Sequence, residues 1–125
     1  MEITLNHTIV YCHNKIESAA FYENIFGFQF IKVWENFAVV KVNDSFTLDF
    51  RDKDKFTAQH YAFKVSEQQF DQILKRIQQQ SIAYGPGPDN LSANLINQDY
   101  GGRGAYFKDP NQHVLEIVTT DYILD

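Results

Sequence analysis

The sequence has a single cysteine, Cys12, so no disulfide can form within the chain. No apolar stretch approaches the roughly 18 residues that a membrane-spanning helix needs. No run of lysine and arginine occurs, and a net charge of −5 argues against a nucleic-acid footprint. The opening residues "MEITLNHTIVYC" have neither the basic region nor the continuous apolar run of a secretory leader. A soluble, cytoplasmic protein with no nucleic-acid and no membrane partner is therefore the expectation. Nothing near Cys12 favours a reactive thiol, and it reads as a small buried residue. What is present is enough for a packed core: 44% of the 125 residues are hydrophobic and 15% are aromatic. A charged fraction of 22% argues against disorder. That length suits one domain, or two small modules sharing a core.

The clearest periodicity is "SEQQFDQILKRIQQQ", Ser66 to Gln80. Phe70, Ile73, Leu74 and Ile77 fall on one helical face, and Ser66 with Gln69 has the spacing of a capping box. Just before it, "HYAFKV" alternates, with Tyr61, Phe63 and Val65 on one side and His60, Ala62 and Lys64 on the other. The N-terminal half follows the same plan. "LNHTIVY" reads as a strand and "ESAAFYENIF" as a helix that Gly27 stops. Strands are expected at Phe28 to Val33, Phe37 to Val42 and Phe46 to Arg51, with turns at Trp34-Glu35-Asn36 and Asn43-Asp44. In the second half a short strand around Ile82 to Tyr84, one around Tyr106, and "HVLEIVTT" complete the pattern. The expected fold class is α+β: two βαβββ modules, about 1–54 and about 55–125, with a boundary near 52–57 and a cupped mixed sheet. The segment Gly85 to Gly104 is rich in Gly, Pro, Asn and Asp, and reads as a lid or as a plain surface loop.

Placed on this repeat, His7 and His60 lie in the first strands of the two halves. Asp49 and Glu116 lie in the last strands, "FTLDF" and "VLEIV". Thr47, Asp49 and Arg51 form a polar face, while Phe46, Leu48 and Phe50 would pack on a helix. Glu116 stands between Val114 and Val118, where a lone carboxylate is costly without a partner. If the halves are related by a pseudo-twofold axis, two imidazoles and one or two carboxylates converge. Such a set suits a divalent first-row metal. The plain alternatives are hydrogen-bonded strand histidines and a solvated glutamate. His13 and His113 have no counterparts in the repeat and read as loop or strand-end residues.

At these residues the sequence resembles a known family. "LNHTIVYCHNKIESAAFYENIFGFQF" is similar to the opening of the vicinal oxygen chelate superfamily, a His-bearing strand followed by a helix with F-Y-x-x-x-x-G-F. "GGRGAYFKDPNQHVLEIV" resembles its closing signature: an aromatic pair, Asp-Pro, a turn and a Glu-bearing strand. The superfamily holds glyoxalase I, extradiol dioxygenases, fosfomycin-resistance transferases, methylmalonyl-CoA epimerase and bleomycin-binding proteins. The resemblance implies paired βαβββ modules around a divalent ion (Fe, Mn, Ni, Zn or Co) with His7, His60 and Glu116 as ligands. Asp49 falls where glyoxalase I places a longer Glu, so it ligates directly, acts through water or stays behind the ligands. Tyr106 matches an active-site tyrosine of the dioxygenases and fosfomycin enzymes; a core aromatic is the plain alternative. Two departures stand out. The usual Asp-Pro-Asp-Gly turn is Asp109-Pro110-Asn111-Gln112 here, and Gln112 at positive φ costs about 1 kcal/mol. Ile9 stands where the fosfomycin enzymes carry threonine, and their potassium-binding loop is not evident, which disfavours that reaction.

The leading expectation is a metal-dependent enzyme acting on a small oxygenated substrate. It is either a glyoxalase-like lyase or isomerase, with Asp49 or Glu116 as base, or like an extradiol dioxygenase, with Tyr106 as donor. Arg103 is the candidate to hold an anionic substrate, with a solvated arginine as its plain alternative. The alternative function is a non-catalytic binding protein of the bleomycin type. A homodimer is the assembly that the resemblance implies.

Overall fold

Each half of the chain folds as a strand, a helix and three strands. The computed structural model describes residues 2–124. The chain divides into two compact units, Met1–Thr57 and Ala58–Asp125.

In the first unit β1 (His7–Cys12) leads to α1 (Lys15–Phe26) and then to β2 (Gln29–Trp34), β3 (Phe37–Asn43) and β4 (Phe46–Asp52). The sheet order is β1-β4-β3-β2, with β1 parallel to β4 and the other pairs antiparallel. The side chain of Asn14 accepts from the backbone N–H groups of Ile16 and Glu17, which caps α1. Gly27 ends the helix at φ 81, a conformation that needs no Cβ. Alternation then sorts the sheet. Val10, Val40, Leu48 and Phe50 are buried with Tyr22 and Ile25 of α1, while His7, Ile9, Asp49 and Arg51 take the opposite face. Burying each such large apolar side chain contributes roughly 1.5–3 kcal/mol. Trp34, expected in a turn, instead ends β2 opposite Phe37. Cys12 is buried, as expected.

In the second unit β5 (His60–Lys64) leads to α2 (Glu67–Gln79), β6 (Tyr84–Gly85), β7 (Gly104–Lys108) and β8 (Val114–Val118). Its order, β5-β8-β7-β6 with β5 parallel to β8, repeats the first. The capping box at Ser66 is complete, and Phe70, Ile73 and Ile77 of α2 are buried. Two mixed four-stranded sheets, each with one helix, make the fold α+β. The described helices include none long and apolar enough to cross a membrane.

The β7–β8 turn has the strain expected of it, with Gln112 at φ 71. Gln112→Gly should raise stability by about 0.5–1 kcal/mol, a gain of roughly 2–4 °C in Tm. A thermal melt reads this, and a lower Tm would show that the lost contact of Gln112 with Lys108 (3.1 Å) outweighs the relieved strain.

Candidate metal centre

Strand register places the predicted donors at equivalent positions of the repeat. His7 opens β1 opposite Thr47, with Asp49 two residues further along β4. His60 opens β5 opposite Val114, with Glu116 two residues further along β8. A two-residue step returns to the same face of a strand, so each module holds one imidazole and one carboxylate on a shared face.

In the second module the pair is closed. His60 Nε2 lies 2.9 Å from Glu116 Oε1. Glu116 is 2% exposed, and among the described residues no lysine or arginine forms an ion pair with it. The phenol of Tyr106, directly opposite on β7, donates to the same carboxylate. The Tyr106 ring is 5.9 Å from the His60 ring. Burial first, then the hydrogen bond to Glu116 and its charge, push the Tyr106 phenol far above its usual range. These effects favour the protonated phenol, which can act as a donor. Glu116 and Tyr106 border a cavity of about 230 Å³ whose lining also includes Asp99, Tyr100 and Tyr122. Tyr100 and Tyr122 meet edge to face at 5.5 Å. The Gly85–Gly104 segment thus supplies a wall to this cavity. The amide of Asn97 fastens it by donating to the Pro86 carbonyl, 2.9 Å.

In the first module the pair stays open. Asp49, one methylene shorter, accepts from the hydroxyl of its strand neighbour Thr47 at 2.9 Å. His7 Nδ1 lies 2.7 Å from the amide oxygen of Asn6. An amide oxygen only accepts, so Nδ1 carries the proton and the Nε2 lone pair is left to bind. His7 and Asp49 border a second cavity of about 390 Å³.

Among the described residues no group of three His, Cys, Asp or Glu side chains is gathered that could hold a metal. Within each module the histidine and the carboxylate share one face, His60 with Glu116 in the second and His7 with Asp49 in the first. The chemistry of the pair in the second module nonetheless fits an ion. Two donors bound side by side at roughly 2.1 Å from a first-row metal stand about 3 Å apart, and His60 and Glu116 have that spacing.

Arg103 is engaged within its own module. Its Nε donates to Glu67 at 2.8 Å, one terminal nitrogen donates to Asp71 at 2.8 Å, and the other lies 2.7 Å from Glu67. The guanidinium lies 4.4 Å over the ring of Phe70. These bonds hold the start of β7 against α2. The hydroxyl of Thr119 and then Arg103 keep the Glu67 carboxyl below its usual range. A guanidinium whose donors are taken by two carboxylates has few left for a ligand.

His113 stands at a strand end, as expected, yet it is buried. It precedes β8 but is only 1% exposed, with Nδ1 accepting from the Gln59 N–H at 2.9 Å and the ring edge-on to Tyr61 at 5.8 Å. His13 is exposed and packs on Phe56, ring centroids 4.9 Å apart.

Paired βαβββ modules, each with a histidine opening its first strand and a carboxylate in its last, define a class of protein. The chain belongs to the vicinal oxygen chelate superfamily. It is 43% identical to the solved structure of Oxidase ChaP-H2, covering 98% of this chain and 97% of that one with a TM-score of 0.93. Oxidase ChaP-H1 is 38% identical, with 96% and 98% covered and a TM-score of 0.90. Metallothiol transferase FosB of Lysinibacillus sphaericus (strain C3-41) is 25% identical over 93% of this chain and 82% of its own length. No family model matches the chain.

Proposed function

We propose that the protein is a metal-dependent oxidase acting on a small oxygenated molecule. The observation that carries this reading is the buried Glu116 carboxylate, held between the imidazole of His60 and the phenol of Tyr106. The extensive likeness to two oxidases favours the oxidising branch over the lyase branch. In this reading His60 and Glu116 from a second module and His7 from a first module hold the ion. A first module and a second module would meet within one chain or across a homodimer. Asp49, engaged by Thr47, stays behind the ligands and orders the first module's face. A first-row ion held by two imidazoles and one carboxylate supplies Lewis acidity, open positions for substrate oxygens and, as Fe(II), electrons for O2.

The chain's own groups do the rest. Asn6 fixes the His7 tautomer, and Tyr106 keeps a proton beside Glu116 for a developing negative oxygen. The tyrosine pair Tyr100 and Tyr122 lines the cavity beside that carboxylate. The FosB likeness does not move the reading to thiol transfer, because Ile9 occupies the position where the fosfomycin enzymes carry threonine.

Elemental analysis of protein purified without a chelating tag should find about one equivalent of a divalent first-row metal per site. The Fe(II)-loaded protein, screened against phenols and hydroxyketones in an oxygen electrode, should consume O2 with at least one of them. A protein that takes up no divalent ion overturns the reading. So does one that isomerises the methylglyoxal–glutathione hemithioacetal and never consumes O2.

A further inference from the structure

The larger cavity, on the first module, has a feature that the metal reading does not use. β2 carries a bulge: Phe30 pairs with Val40 and Lys32 with Val39, leaving Ile31 as the extra residue. A bulge shifts the alternation of everything after it. Without it, Lys32 and Trp34 would share the buried face with Phe30. With it, Lys32 joins Val39, Asp49 and Ile9 in one row across the sheet, and Trp34 joins Phe37 and Arg51 in the next. Ile31, Lys32 and Trp34 all border the cavity that holds His7 and Asp49.

The lining is divided by chemistry. His7, Thr47 and Asp49 make a polar end, and Val39, Ile31 and Trp34 make an apolar body. Trp34 and Ile31 are 53% and 45% exposed, so this apolar surface is open to a ligand. Lys32 stands at the far end, two strands from Asp49, a separation of roughly 10 Å. Among the described residues its ammonium has no hydrogen bond or ion pair. Of the other cations on the face, Lys41 pairs with Asp44 at 3.0 Å, and Arg51 lies over the Phe37 ring at 5.6 Å. Arg103 is held by Glu67 and Asp71.

We propose that the cavity bordered by Lys32 and Trp34 is the substrate subsite, and that it selects an organic anion with an apolar body. The anionic group meets Lys32, the body lies on Trp34 and Val39, and the reacting oxygens point to the His7 end. The inference rests on the metal reading only in naming His7 as the reacting end. Anion recognition therefore belongs to Lys32 and not to Arg103.

Trp34 is the only tryptophan of the chain, so its emission reports the subsite directly. The test titrates chelator-treated full-length protein with 4-butylbenzoate, 4-butylbenzyl alcohol and 4-butylbenzylamine while following Trp34 fluorescence. The acid should bind about five- to tenfold more tightly than the alcohol, and the amine more weakly than either. Lys32→Met, which keeps the apolar stem, should remove the preference for the acid and leave the alcohol unchanged; Lys32→Arg should restore it. Four outcomes overturn the inference: equal affinity for acid and alcohol, a preference for the amine, unchanged acid affinity in Lys32→Met, or no Trp34 response to any probe. Because the metal is stripped, a failed metal assay leaves this result standing, and a failed titration leaves the metal assay standing.

Discussion

Glu116→Gln should weaken divalent-metal binding by on the order of 10²–10³-fold, while Tyr106→Phe should weaken it by about tenfold. The substitution is nearly isosteric, so Leu115 and Ile117 on the opposite face of β8 keep their packing. What changes is the donor. A carboxylate oxygen becomes a neutral amide oxygen, and the side chain gains an NH2 that competes for His60 Nε2. The phenylalanine keeps the ring of Tyr106 and removes only its hydrogen bond to Glu116, an effect on the orientation of the carboxylate and not on its charge. Titration of a metal-responsive dye competitor separates the two variants, with circular dichroism as the control for folding. Wild-type affinity in Glu116→Gln would mean that the carboxylate is only a hydrogen-bonded core residue, and the metal reading would fall.

What was legible in the sequence was what periodicity and caps express. The helix at Ser66–Gln80 declared itself through Phe70, Ile73 and Ile77 and through its capping box, and all of these are in place. The polar row Thr47, Asp49, Arg51 followed from alternation alone. Glu116 was found because it broke an apolar pattern and His60 because it matches His7 in the repeat, and their shared register comes from the parallel pairing of β5 with β8. Three features were not legible. The bulge at Ile31 reverses the parity of Lys32 and Trp34, and nothing in "QFIKVWEN" marks it, because an extra residue in one strand is defined by the strand opposite. The commitment of Arg103 depends on two carboxylates one helical turn apart, Glu67 and Asp71, more than thirty residues away in sequence. The burial of His113 depends on its ring accepting a backbone N–H from Gln59 across the sheet.

The repeat also clarifies why the two halves differ. Asp49 and Glu116 occupy the same position, yet only the glutamate reaches its histidine. One methylene decides it: the shorter carboxylate is captured by Thr47 in its own strand, where the second module has Val114 and no competing hydroxyl. Asp49→Glu together with Thr47→Val would make the first module's face resemble the second.

Asp109→Ala should lower the melting temperature by about 10 °C, with Asp109→Asn losing less than half as much. Asp109 is 3% exposed, and one carboxylate oxygen accepts from the backbone N–H groups of Asn111 at 2.8 Å and His113 at 2.9 Å. Alanine leaves both donors buried without that acceptor, a cost of roughly 2–4 kcal/mol in all. Asparagine keeps an acceptor oxygen for the two backbone donors and loses the charge and the weaker acceptor that takes the Asn111 amide at 3.4 Å. The turn does more than stabilise. It sets the register of β7 on β8, and that register puts Tyr106 opposite Glu116. Loosening it should therefore weaken metal binding as well, even at temperatures where the protein is folded. Thermal melts of the two variants, with metal titration at low temperature, read both effects. A drop of less than about 3 °C for the alanine variant would show that the turn is held by its backbone bonds alone, Asp109 N to His113 O at 3.0 Å and Gln112 N to Asp109 O at 3.2 Å.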